Sequence, residues 1–135
     1  VHQVEPLRHH PTIVFVTACT KDRRPWLANE RVHAVLREVW RRADAWMTGR
    51  YVIMPDHLHL FASWMNDIPL RNWMQYWKSQ FTKTYRVDGR EWQAGHWDTT
   101  MRSAAQYEDK WRYVRENPVR HGLVDDWTKG LTLAI

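Results

Sequence analysis

An α+β fold, with helices laid across one antiparallel sheet, is what the amino-acid order predicts, and three stretches carry that expectation. TIVFVTACT, residues 12–20, is β-branched and alternating, as a half-buried strand is. PLRNWMQYWKSQFTKTY, 69–85, repeats its apolar residues at helical spacing. Between them YVIMPDHLHLF, 51–61, turns back on itself at Pro55-Asp56, a tight-turn pair between two apolar runs.

The elements follow in order. Residues 1–11 form an irregular lead-in containing His9, His10 and Pro11, and the first strand spans 12–20. KDRRPW, 21–26, is a basic loop, after which Asn29 caps a helix over roughly 30–43 with Val32, Val35, Leu36 and Val39 on one face. The hairpin arms are 48–54 and 57–64, and 66–69 is a loop. The helix over 69–85 has Pro69 at its first turn and an apolar stripe of Leu70, Trp73, Met74, Trp77 and Phe81. DGR at 88–90 is a turn, and HWDTTMR, 96–102, is a short strand. QYEDKWRYVREN, 106–117, is a third helix ended by Pro118. The order β-α-β-β-α-β-α implies a ferredoxin-like β-α-β-β-α-β antiparallel sheet with an additional C-terminal helix. With no internal repeat, low-complexity segment or linker, residues 1–135 read as a single domain.

Bulk composition limits the function. Hydrophobic residues make up 44% and charged residues 26%, which excludes a disordered chain. No run approaches the roughly 18 apolar residues of a bilayer span, and no signal-peptide pattern opens the chain. A start at Val1 implies that an initiator Met has been removed. Cys19 is the single cysteine, which forbids an intrachain disulfide, argues against a Cys-based zinc site and fits a reducing cytoplasm. The net charge of +5, with ten tryptophans among twenty Lys and Arg, favours a nucleic-acid partner: cations attract phosphates, and exposed rings stack on unpaired bases. Both features also have plain explanations, since tryptophan fills cores and modest basicity is common.

His57 and His59 stand one residue apart on a strand, so they share a face, while Leu58 and Leu60 share the other. Two neutral imidazoles side by side can hold one divalent metal ion. A single His-x-His is more often just two histidines on a half-exposed strand. A third ligand and a reaction are needed to give the pair meaning.

The last predicted helix offers both. At about 100° per residue, Tyr107, Trp111 and Val114 make its packed stripe, and Tyr113 lies more than about 90° away. Asn117 follows Tyr113 by one turn, so the two side chains are neighbours. Tyr76 and Gln80 repeat that relation on the 69–85 helix, and spacing does not separate the two pairs. A surface tyrosine and a helix-ending asparagine before proline account for the last helix equally simply.

GRYVIMPDHLHLF, WKSQFTK, WDTTMR and KWRYVRENPVRHGLV, in this order and spacing, resemble the single-tyrosine transposases of the HUH superfamily, in particular the REP-associated tyrosine transposases of bacteria. HUH denotes His, a hydrophobic residue and His, here His57-Leu58-His59, and the resemblance runs from about 12 to 124. It implies a ferredoxin-like domain that cuts single-stranded DNA with one tyrosine and a divalent metal. Residue by residue, Tyr113 matches the nucleophile, His57 and His59 match metal ligands, and Asn117 matches the third ligand. The implied cofactor is Mg²⁺ or Mn²⁺, and imidazole ligands suit Mn²⁺ better. The implied intermediate is a 5′-phosphotyrosine with a free 3′-OH, which conserves the phosphodiester energy for rejoining. The implied substrate is a hairpin from a repetitive extragenic palindrome with an unpaired flank, met at the bacterial nucleoid. Arg23, Arg24, Lys78, Lys83, Arg112, Arg115 and Arg120 are the candidate phosphate contacts. Lys110, one turn before Tyr113, could assist it electrostatically, but a solvated surface lysine is the simpler reading. The family includes monomers and homodimers. The end of the chain, DDWTKGLTLAI, departs from the longer tail of many relatives, which speaks against tail-mediated regulation. Two other classes compete: a hairpin-binding regulator that has lost cleavage, and a histidine-triad nucleotide hydrolase. The hydrolase would want a third alternating histidine where Phe61 stands.

Overall fold

The computed structural model describes residues 12–65, 67–116 and 133–134. Its elements are β1 (Ile13–Cys19), α1 (Glu30–Arg42), β2 (Trp46–Ile53), β3 (His57–Trp64), α2 (Leu70–Tyr85), β4 (Trp97–Thr100), α3 (Ala104–Arg115) and β5 (Leu133–Ala134). The strands form one sheet in the order β4-β1-β3-β2-β5, and each described pairing is antiparallel. The first four strands thus take the predicted ferredoxin-like arrangement, with β3 central. The short β5, which pairs Leu133 and Ala134 with Val52 and Tyr51, was not foreseen.

Local chemistry explains the helix starts. Asn29 Oδ1 accepts from the Val32 amide at 2.9 Å and caps α1 as expected. Helix α3 begins at Ala104, two residues before the predicted 106, because Ser103 Oγ accepts from the Gln106 amide. Gln106 Oε1 in turn accepts from the Arg102 amide at 2.6 Å. This reciprocal pattern resembles a capping box, and its Ser-x-x-Gln signal is plain in the sequence. The helix ends at Arg115 with Glu116 as its C-cap, short of the predicted 117, and Pro118 lies outside the described residues.

Strand alternation divides the sheet into two faces. On one, Leu58, Leu60 and Ala62 of β3 join Val14, Val16 and Ala18 of β1 beneath α1 and α2. Trp73, Trp77 and Phe81 are fully buried there. The Trp73 indole N–H donates to the Ala43 carbonyl at 2.6 Å, so the buried ring keeps a polar partner. On the other face a smaller cluster forms from Val52, Met54, Phe61 and Met101 with Trp111 and Val114 of α3. Six tryptophans (Trp26, Trp40, Trp46, Trp73, Trp77 and Trp111) are buried. The tryptophan wealth that favoured nucleic acid is therefore mostly core material. Trp64 and Trp97 are the exposed tryptophans among the described residues.

An irregularity in β2 matters for α3. The β2–β3 register shifts between Thr48 and Tyr51, which puts one extra residue at Gly49-Arg50. The Arg50 guanidinium lies 5.7 Å from the Tyr107 ring centroid and 5.2 Å from that of Trp111. Its Nη1 is 3.6 Å from Glu108 Oε1. A bulge that no hydropathy pattern announces thus pins α3 across the sheet.

Candidate active site

His57 and His59 lie on the α3 side of β3, with ring centroids 4.8 Å apart and planes at 76°. Each Nδ1 has a protein partner. His59 Nδ1 is 2.8 Å from Thr17 Oγ1, directly across the β1–β3 ladder. His57 Nδ1 is 2.7 Å from Asp56 Oδ1, and Asp56 Oδ2 accepts from Arg23 Nε at 3.1 Å. Such partners fix ring orientation, which makes Nε2 the nitrogen that each ring would present to a metal. Burial, followed by the charges of His57 and Lys110, pushes the His59 pKa down to about 3. His59 is therefore neutral at physiological pH, the form in which imidazole ligates metals. Burial raises the Asp56 carboxyl, but hydrogen bonds from His57 and Arg23 outweigh it and hold the group ionised below its usual range.

The sequence marks Asp56 only as a turn residue. Its carbonyl does serve the turn, accepting from the Thr20 amide and hydroxyl. Its carboxylate links the basic loop to His57. Asp22 and Arg23 in that loop carry left-handed φ values of 57° and 54°, uncommon for residues with a Cβ. Thr17 gave no sequence signal beyond lying on the same strand face as Phe15. An aspartate directly before the His-x-His was the one available hint of orienting partners.

Helix α3 adds the remaining chemistry. Phe15 stacks on His59 at 5.3 Å and 21°. Lys110 Nζ stands 5.1 Å from the Phe15 ring centroid and 5.9 Å from that of Tyr113. His59, Phe15, Lys110 and Tyr113 therefore form a continuous series from sheet to helix. This corrects the reading of Lys110 as a solvated lysine: it is half-buried, and its charge reaches His59. Tyr113 is 58% exposed at the end of that series. Tyr76 is also exposed, at 52%, but it belongs to α2, on the opposite side of the sheet.

The basic residues divide sharply. Arg23 is tied to Asp56 beside the histidines, and Arg24 is exposed in the same loop. Arg112 is exposed on α3 and paired with Asp109, and Arg115 is half-buried on the same helix. Lys83 is exposed on α2, away from the histidine face. Lys78 Nζ donates to the Gln93 and Gly95 carbonyls at 3.1 and 2.6 Å, and burial lowers its pKa to about 8. Its ammonium is thus committed to a loop. Asn117 and Arg120 lie outside the described residues. Among the described residues, no group of three or more His, Cys, Asp or Glu is arranged to hold a metal, so these residues supply an imidazole pair.

Residues 9–117 match the family model described as transposase IS200-like, a span that includes His57, His59, Tyr113 and Asn117. The chain belongs to the IS200-like transposase family. A REP-associated tyrosine transposase of Escherichia coli K12 is 27% identical over 122 residues, covering 84% of this chain and 72% of the relative. The fold resembles that of a REP-associated tyrosine transposase solved bound to a REP hairpin. The TM-score is 0.79 at 21% identity, over 91% of this chain and 76% of the other. A putative transposase of Deinococcus radiodurans gives a TM-score of 0.57 at 14% identity, over 78% and 89%. At those identities the two structures bear on the fold alone. Among the described residues of this IS200-like transposase, no helix is long and apolar enough to cross a membrane.

Proposed function

We propose that this IS200-like transposase is a metal-dependent single-stranded DNA endonuclease and strand transferase acting at sites that flank REP-type hairpins. The observation that carries the reading is the anchored imidazole pair, His57 and His59, on the face over which α3 brings Lys110 and Tyr113. The hairpin substrate is supported by the related transposase solved with one.

A neutral His59 and two Nδ1 atoms already occupied by Thr17 and Asp56 fit the donor chemistry of Mn²⁺ or Mg²⁺. His57, His59 and Asn117 would hold the ion, which when bound would act as Lewis acid towards the scissile phosphate. The chain's own groups do the rest. Tyr113 Oη attacks phosphorus and loses its proton to solvent, while the departing 3′ oxygen takes one up. The products are a 5′-phosphotyrosine and a free 3′-OH, and attack by another 3′-OH reverses the step without ATP. Lys110 places positive charge beside the Tyr113 ring, where it offsets charge on the phosphate. Asp56 and Thr17 keep the imidazoles from rotating.

The test is a denaturing gel of the protein incubated with end-labelled, flanked hairpin DNA and Mn²⁺. A covalent protein–DNA band that disappears in excess EDTA is the expected result. Full adduct formation in EDTA would overturn the metal assignment. Tight hairpin binding with no adduct would make the chain a silent binding protein.

A further inference from the structure

Helix α3 covers only part of the histidine face. Its buried residues, Trp111 and Val114, pack over Val52 from β2, Met54 just after it and Phe61 from β3. On β1 and β4 the same face stays open, with Phe15 and Thr17 only partly buried and all four residues of β4 exposed. The ladder fixes which side chains share that face. Thr17 pairs with His59 on one side and with Trp97 on the other, so His59, Thr17 and Trp97 form one row across three strands. Two strand spacings separate Trp97 from His59, roughly 10 Å.

Trp97 is 59% exposed, and the backbone beneath it is braced. Lys78 holds the preceding loop through the Gln93 and Gly95 carbonyls, and Gly95 takes a φ of 80° that few other residues adopt. On the reverse face His96 Nε2 lies 2.9 Å from Asp98 Oδ2. An apolar ring of this size on an edge strand gains nothing for the core. We propose that Trp97 is a stacking platform for an unpaired nucleobase beside the scissile phosphate. The single strand then leaves Tyr113 and Lys110, crosses Phe15 and Thr17, and lays a base on the indole. A planar ring accepts any base by its π-face, so the site sets the path and grip of the unpaired flank rather than reading its sequence.

This site rests on the single-stranded DNA reading, and the experiment separates the two. Hairpins with and without the unpaired flank are titrated against wild type, Trp97→Ala and Trp97→Phe, with thermal melts confirming that each variant folds. The affinity gained from the flank should fall by about 5- to 100-fold in Trp97→Ala and be largely retained in Trp97→Phe, whose ring still stacks. Flanks carrying 5-iodouracil should photocrosslink to the peptide containing Trp97. An undiminished flank gain in Trp97→Ala, or crosslinks mapping only elsewhere, overturns the platform while leaving the nuclease reading intact. A wild type that forms no adduct and gains nothing from the flank overturns both.

Discussion

On the Leu58/Leu60 face, α1 and α2 bury Trp73, Trp77 and Phe81 completely, and the side chains pack as an ordinary aromatic core. On the His57/His59 face, among the described residues, one helix covers a small cluster and leaves imidazoles, a threonine, a half-buried lysine and an exposed tryptophan around it. The same strands build both, because alternate residues point opposite ways. One face supplies the burial that holds the fold, which leaves the other free to keep polar groups that a core would exclude. Stability and chemistry are therefore separable by the parity of a residue on β3, and substitutions on the two faces should fail differently.

The sharpest contrast is between the two exposed tyrosines. Tyr113→Phe is expected to abolish the covalent adduct while hairpin binding persists, since one hydroxyl is removed. Tyr76→Phe, on the helix behind the sheet, should leave the adduct in place. Peptide mapping of trapped adduct checks this, and DNA attached to Tyr76 would erase the functional distinction between the faces. Next in size is the core itself. Trp77→Ala should cost about 3–5 kcal/mol of stability, the usual range for emptying a buried aromatic site. Denaturant unfolding measures it. A loss below about 1 kcal/mol would mean the leucine face is not the main source of stability.

On the histidine face, Asp56→Ala removes the partner of His57 Nδ1 and should weaken Mn²⁺ affinity by about 10- to 100-fold with a small change in melting temperature. Isothermal titration with Mn²⁺ reads the affinity, and unchanged binding would remove Asp56 from the site. The last contrast is one of pH. The folded-state pKa of His59 is depressed to about 3, so the unfolded chain takes up that proton first as pH falls below about 6.5. Stability attributable to this group is complete above that point and is lost on acidification towards 3, by at most about 1.4 kcal/mol per pH unit. His59→Gln should flatten that slope in melts taken between pH 7 and 4 (on the order of the same window). An equal slope in both proteins would show that His59 is not buried neutral.

How much of this was legible differs between the faces. The strand and helix periods placed β1, the hairpin, α1 and α2 within a few residues, because hydrophobic burial repeats at the period of the backbone. The same alternation put the histidines opposite the leucines, and the element order gave the sheet plan. Spacing could not rank Tyr113 against Tyr76, since both sit off an apolar stripe with an amide one turn on. Layering separates them: α2 packs behind the sheet and α3 in front.

The sequence by itself determined the element order, the faces and the metal-compatible pair, all of which follow from near-neighbour periodicity. Only the tertiary structure decided the company those residues keep. Thr17 meets His59 across a separation of 42 residues, Arg23 meets Asp56 across 33, and Thr17 is flanked by Trp97 through the β1–β4 ladder. Strand register, the bulge at Gly49-Arg50 and the seating of α3 set those contacts. They arise from packing between distant segments, which no local pattern of residues encodes.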